Sequence, residues 1–375
     1  MISKQTKIAI KKVLYPFLNI FSKKYIVKRV NQSPEKKISV VRASLSLAKD
    51  IEYLKYQKLI AYDGSPKHLE ADIDVSFYTD VYVDLDTGVM INSAKDIIRG
   101  TLKNEDRTET DHSRLTSYLH IDGLVSVINP HLNVGYFHIW FDGLIKLYYL
   151  SLLDQKITIV VAKEAPTIYH QVLELYKDKF SIAIVDGYRF IKAKKACCVH
   201  HLYWSKHAPY FSSNISDFFK NRIIATLDDS SIKTYDRIFI KRKNSIRSIL
   251  NDDEVEQLFL SYGFKVISFE DFTVFEQAYL VNRAKVIAGI HGAGFGNLIF
   301  ADSKLTVIEL QNHAVVPSFF FMSYQLRLKY FPIFSLTTNV DEIRDPHNER
   351  EMFYSQKLAP VRYDIGEIQL VLEKI

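Results

Sequence analysis

The sequence predicts an α/β protein made of two doubly wound units facing each other across a cleft. Three observations carry that expectation. The chain has 375 residues, enough for two domains at roughly 150 residues each. From residue 138 onward, short apolar runs alternate with amphipathic stretches, as in a parallel sheet with crossover helices. The alternation stops in a polar stretch, 205–235, and then restarts.

Composition narrows the class. With 47% hydrophobic and 25% charged residues, the chain can bury large cores and is not intrinsically disordered. The densest apolar run, 144–153, contains Lys146 and falls short of the roughly 18 residues of a membrane span. The basic N-terminus has neither the clean apolar core nor the small-residue cleavage site of a secretory signal. The two cysteines, Cys197 and Cys198, are adjacent and cannot form a disulfide framework, which fits a reducing, cytoplasmic compartment. The net charge of +6 is concentrated at one end: residues 1–37 hold ten Lys or Arg and one acid, and the rest is slightly acidic. A nucleic-acid partner is therefore not expected.

Residues 1–37 form a basic leader in which Val13, Leu14, Phe17, Leu18 and Phe21 share a helical face that Pro16 would kink. Two readings stand for residues 4–37: peripheral docking on an anionic membrane surface, or a solvated tail. Residues 38–130 read as short strands with turns, such as 81–85 ahead of Asp86-Thr87-Gly88. Phe141, Leu144, Ile145, Tyr148, Tyr149 and Leu152 mark an amphipathic helix over 138–153. A strand at 156–162, a helix at 166–177 and a strand at 180–185 follow, then the 205–235 linker with one helix. Beyond it come a strand at 237–241, a helix at 252–261, a strand at 264–269, a helix at 274–283 and strands at 285–290 and 305–310. The expected domains are 38–215 and 216–375, with the last helix packing back on the first domain.

Ligands of open parallel sheets bind at the carboxyl ends of strands. Directly after the apolar run 285–290 stands His291-Gly292-Ala293-Gly294-Phe295-Gly296-Asn297. Its glycines would let backbone N–H groups approach a pyrophosphate, or would simply make a tight turn. His291 could donate to phosphate or tie down the loop. Glu309, at the end of a buried strand, needs a partner: either two ribose hydroxyls or a salt bridge. Arg242 and Arg247 leave a strand toward the expected cleft, where they suit bidentate phosphate binding or form a solvated basic loop. His138 and Asp142 are one helical turn apart, the spacing of a base and the carboxylate that orients it, or else of a structural His at a helix start. Asp84 and Asp86 look like a metal-holding pair, but their strand-and-turn context favours solvated acids. Cys197, Cys198, His200 and His201 alternate along a strand and would not converge on zinc.

As a set, Arg237-Ile238-Phe239-Ile240-Lys241-Arg242 with Arg247, Leu250 and Asn251, then Gly263 with Glu276 and Gln277, then His291-Gly292-Ala293-Gly294 with Asn297, then Val307-Ile308-Glu309-Leu310, resembles the signature of glycosyltransferase family 61. Upstream, Tyr136-Phe137-His138 with Trp140 and Asp142 resembles that family's first motif. The resemblance implies a GT-B-like, inverting and metal-independent glycosyltransferase with no bound cofactor. Its donor would be a nucleotide sugar, commonly UDP-linked, and its acceptor a glycan or lipid-linked sugar. It implies His138 or Asp142 as the base, and donor contacts from Arg242, Arg247, His291, Gly292, Ala293, Gly294, Asn297 and Glu309. Among members of the family the chain is similar to bacterial ones that build capsule or lipopolysaccharide. The alternatives are a catalytically silent binding module on the same fold and a membrane-docking scaffold.

Overall fold

The computed structural model describes residues 29–30, 34–46, 68–98, 115, 117–128, 135–199, 211–227, 232–243, 249–312, 316, 318–336 and 360–375. Most of the basic leader, Arg247, His200 and His201 lie outside them. Among the described residues no helix is long and apolar enough to cross a membrane.

The first sheet contains β1 (Arg29–Val30), β2 (Lys36–Ser46), β3 (His68–Asp84), β4 (Met90–Ile91), β5 (Ile97–Ile98), β6 (Tyr118–Val127), β7 (Thr158–Ala162), β8 (Ser181–Val185) and β9 (Phe190–Val199). Their order is β1-β5-β4-β3-β9-β6-β7-β8, with β2 beside β3. Only part of this sheet is wound as expected. β9, β6, β7 and β8 are parallel, whereas β2, β3, β4, β5 and β9 pair antiparallel. For β3, β4 and β5 the reason is connection length: the turns at 85–89 and 92–96 are too short for the crossover of a dozen or more residues that parallel neighbours need. β3 is also one 17-residue strand where short ones were expected, with Ile73, Val75, Val81 and Val83 buried at period two. The sheet begins before residue 38, since β1 pairs with β5 and β2 starts at Lys36.

The second sheet contains β10 (Arg237–Ile240), β11 (Lys265–Ile267), β12 (Val286–Ile290), β13 (Thr306–Gln311) and β14 (Lys329–Phe334). All are parallel, in the order β11-β10-β12-β13-β14. Numbered within the unit, that is 2-1-3-4-5, a doubly wound order whose ligand crevice opens between the first and third strands, here β10 and β12. The helices Asp252–Ser261 and Val274–Arg283 supply the first crossovers, the latter opened by a capping box between Thr273 and Glu276.

Two elements of this half carry no periodic signal, and a third packs elsewhere than expected. The helix Ser318–Gln325 is apolar nearly all round. β14 contains Pro332, which an edge strand tolerates. The last helix, Ile365–Leu372, does not pack back on the first sheet. Its Ile368 and Leu372 join Phe239, Val255 and Phe259 under the second sheet.

The polar stretch between the sheets is a wedge rather than a spacer. Its helix Ser213–Ile224 buries Ile215, Phe219 and Ile223 at four-residue spacing. Phe219 meets Trp140 edge-on at 5.4 Å, and Ser216 donates to the Ile299 carbonyl at 2.6 Å. One apolar cluster therefore runs from Val75 and Trp140 through Phe219 to Ile240, Phe300 and Phe319. Each such fully buried Phe contributes about 1.5–3 kcal/mol relative to exposure, so the two sheets share one core.

Candidate active site

A cleft of about 180 Å³ opens where β10 and β12 end, at the switch point of the second sheet. The strands touch there through Gly289, paired with Ile240. A Cβ at Gly289 would stand 2.9 Å from the Ile240 carbonyl oxygen, so only glycine lets β12 approach. Past β12, the backbone of Gly292, Ala293 and Gly294 lines the cleft.

Opposite that backbone lies Arg242. Of the three cations leaving β10, Lys241 pairs with Asp252 at 3.0 Å and with Glu256, and Lys243 pairs with Asp271. Glu256 and then Asp252 hold the Lys241 ammonium above its ordinary pKa. Arg242 lines the cleft and makes no ion pair among the described residues. Its guanidinium lies over Gly292, where a Cβ would come within 3.0 Å of Cζ and Nη1. A planar fork beside open backbone is the arrangement that grips a phosphate.

Beneath the loop, His291 and Glu309 form a buried pair, Nδ1 to Oε1 at 2.5 Å. The Tyr330 hydroxyl donates to the other oxygen, Oε2, and Gln311 donates to that hydroxyl at 3.1 Å. Glu309 has no exposed surface and both its oxygens are engaged. This corrects the ribose expectation: a sealed carboxylate cannot meet a diol, so Glu309 acts on the site through His291. A buried carboxylate is tolerable only with such partners.

Asn297 is buried too and serves as a clasp. It accepts from the Tyr136 hydroxyl at 2.5 Å and donates to Gln277 Oε1 at 3.0 Å and to the Gly294 carbonyl at 3.1 Å. Gln277 in turn donates to the Phe269 and Phe272 carbonyls at 2.8 and 3.0 Å. Burial holds the Tyr136 hydroxyl well above the usual tyrosine pKa, so it stays a donor. Through this chain the glycine loop, the 268–273 loop and the helix that carries His138 are fixed against one another.

That helix is composite: Tyr136–His138, a π-helical stretch Ile139–Leu144, then Lys146–Ser151. Gly143 weakens it, and the wide turn is closed by the Ile145 N–H on the Trp140 carbonyl. Within it, His138 Nδ1 stands 2.6 Å from Asp142 Oδ2. Asp142 is 2% exposed and His138 47%. A buried carboxylate holding Nδ1–H places the lone pair on Nε2, the tautomer a general base requires. Tyr136, two residues earlier, lines the cleft, while His138 is not among its lining residues.

The remaining motifs are structural. Against the expectation of solvated acids, Asp84 is fully buried and bound by Arg189 at 2.9 Å, with Asp86 3.6 Å from the same guanidinium. Cys197 and Cys198 point into different apolar clusters on the two faces of β9, as strand alternation requires. Burial pushes the Cys197 thiol up to about 12. Among the described residues no three His, Cys, Asp or Glu side chains converge as a metal site. Sequence reasoning did not single out three cleft residues, Tyr136, Gln277 and Glu270, as site residues. Tyr136 and Gln277 stood within the quoted motifs, and Glu270 carried no signal beyond following a strand.

A parallel sheet whose switch point bears a guanidinium with no ion-pair partner among the described residues, together with a helix that bears a His–Asp dyad, is compatible with a Rossmann-like group-transfer enzyme. Residues 136–308 match the family model Glycosyltransferase 61, a stretch that takes in the dyad, Arg242 and the glycine loop. The protein is a glycosyltransferase. No curated protein matches the chain.

Proposed function

We propose that this glycosyltransferase transfers a sugar, with inversion and without a metal, from a nucleotide donor, UDP-linked, to a glycan or lipid-linked acceptor. The observation that carries the reading is the pairing of two features on one rigid frame. One is Arg242 against the Gly292–Gly294 backbone, and the other is the His138–Asp142 dyad, joined to it through Tyr136 and Asn297.

The acceptor hydroxyl oxygen attacks the anomeric carbon on the face opposite the nucleotide. Its proton passes to His138 Nε2 as the new glycosidic bond forms, and Asp142 steadies the resulting imidazolium. The bond between the anomeric carbon and the diphosphate oxygen breaks, and the electron pair leaves with the nucleoside diphosphate. Arg242 and the loop amides stabilise that growing charge, the work a divalent cation does elsewhere. His291, held by Glu309, supports the loop from below. At about 180 Å³ the cleft is below the roughly 300–1,000 Å³ of small-molecule sites, so the donor extends out of it toward His138. Donor and acceptor sites on opposite sides of the cleft make a GT-B-like arrangement, with Arg247 as a second phosphate contact.

The cellular role we propose is cell-surface polysaccharide synthesis, of capsule or lipopolysaccharide type. The basic leader would hold the enzyme peripherally at the cytoplasmic face of the membrane, near a lipid-linked acceptor. Calorimetry of the full chain against UDP-, GDP-, ADP- and CMP-sugars, followed by transfer assays with the sugar that binds, tests the reading. Binding of none of them overturns it.

A further inference from the structure

The cleft holds two opposite charges that do not meet. Arg242 and Glu270 both line it, yet no ion pair joins them and neither forms one with another described residue. The neighbouring acids of the same loop are spent on the protein: Asp271 pairs with Lys243, and Glu276 closes the capping box on Thr273. Glu270 accepts only from the Ser268 hydroxyl, at 2.6 Å on Oε2, and its other oxygen has no partner among the described residues.

The placement of Glu270 is firm. It sits in the 3-10 turn Phe269–Asp271, whose flanking carbonyls, of Phe269 and Phe272, are both held by Gln277. The turn follows β11, the strand beside β10 on the side away from β12. Going across the sheet at its carboxyl edge, the order is carboxylate, guanidinium, glycine backbone. An anion held between the last two would leave Glu270 facing whatever is attached to that anion. A carboxylate with an open oxygen accepts hydrogen bonds from paired hydroxyls, and a nucleoside 5′-diphosphate carries a ribose cis-diol beside its phosphates.

We propose that Glu270 receives the ribose hydroxyls of the donor nucleotide, making the site selective for ribonucleotides over 2′-deoxyribonucleotides. This rests on the donor reading above and assigns to Glu270 the role that the burial of Glu309 withholds from Glu309. The ligand lies with its diphosphate between Arg242 and Gly292 and its ribose turned toward β11.

The test is calorimetry on the full chain with UDP, GDP and ADP, each beside its 2′-deoxy form, and with inorganic pyrophosphate. The wild type should bind the preferred ribonucleotide roughly tenfold or more tighter than its deoxy form, the scale of a hydrogen bond to a charged group. Glu270→Gln and Glu270→Ala should erase most of that preference and leave pyrophosphate affinity unchanged, with melting temperatures near wild type because the side chain is exposed. Equal binding of ribo and deoxy forms by the wild type overturns the role of Glu270 while leaving the donor reading standing. So does nucleotide affinity unchanged in both variants, including the case where turnover alone collapses, which would make Glu270 a base. Failure of every nucleotide to bind overturns both.

Discussion

The Tyr136 hydroxyl donates to Asn297 Oδ1 at 2.5 Å, across 161 positions of sequence, and this one contact joins the helix of the His138–Asp142 dyad to the glycine loop. Asn297 is buried and Tyr136 half-buried, so the contact cannot be replaced by water at no cost. Tyr136→Phe should leave an orphaned oxygen and destabilise the fold by about 1–3 kcal/mol. Donor affinity should fall as well, because Asn297 also positions Gly294. Denaturant titration and calorimetry of the same variant measure the two effects, and an unchanged denaturation midpoint would refute the clasp.

His138→Ala should lower kcat by roughly 10²–10⁴-fold, the range of general base catalysis. Donor affinity should stay within error, since Arg242 and the loop hold the donor. Asp142→Asn should also cost turnover, because an amide can present its N–H to Nδ1 and favour the wrong tautomer. If saturating acceptor restores His138→Ala to near-normal kcat, His138 only shapes the acceptor pocket.

Gly289 of β12 and Gly292 just beyond it should respond differently to alanine. At Gly289 the added Cβ meets the Ile240 backbone oxygen at 2.9 Å, so Gly289→Ala should destabilise by about 1–3 kcal/mol. At Gly292 it meets the mobile end of Arg242 at 3.0 Å, so Gly292→Ala should spare the fold and weaken diphosphate binding. Arg242→Ala should weaken it further, and Arg242→Lys should not restore it, a point charge being no substitute for the fork. Thermal melts and pyrophosphate titrations of the four variants decide the matter.

Transfer should persist in excess EDTA. The motivation is Arg242 beside the loop backbone, together with the engagement of Asp84 and Asp86 by Arg189. Complete loss of transfer on chelation, recovered with manganese or magnesium, would sink the metal-free mechanism.

Stability should decline in alkali, and the sign follows from burial. The Cys197 thiol ionises near 9.0 when free and is pushed up to about 12 in the fold. The folded chain therefore keeps a proton that the unfolded chain loses, so this stability is complete below 9.0 and is lost as pH rises through about 12. Burial raises the Tyr169 and Tyr176 hydroxyls in the same direction. Denaturation midpoints at about pH 8 and about pH 10.5 should differ less in Cys197→Val than in the wild type. Equal pH dependence in the two proteins would remove Cys197 from the account.

Sequence alone determined the second sheet up to β13, and with it the strand ends that border the cleft. Its strands are continuous apolar runs and its crossovers amphipathic helices, so periodicity reports them directly, and the glycine run marks where backbone must approach backbone or ligand. The His138–Asp142 relationship was equally legible, because one helical turn is a local distance. Tertiary structure decided what depends on burial and on partners far along the chain. Periodicity does not register that β3 turns back antiparallel on β2, β4 and β9, that Ile365–Leu372 stays under its own sheet, or that Ser318–Gln325, apolar on every side, is a helix. Nor does it tell a carboxylate at a strand end sealed beneath His291, as Glu309 is, from one open to a cleft, as Glu270 is. That difference is set by which neighbours exclude water, and those neighbours, Tyr330 and His291 among them, are brought together only when the sheet closes.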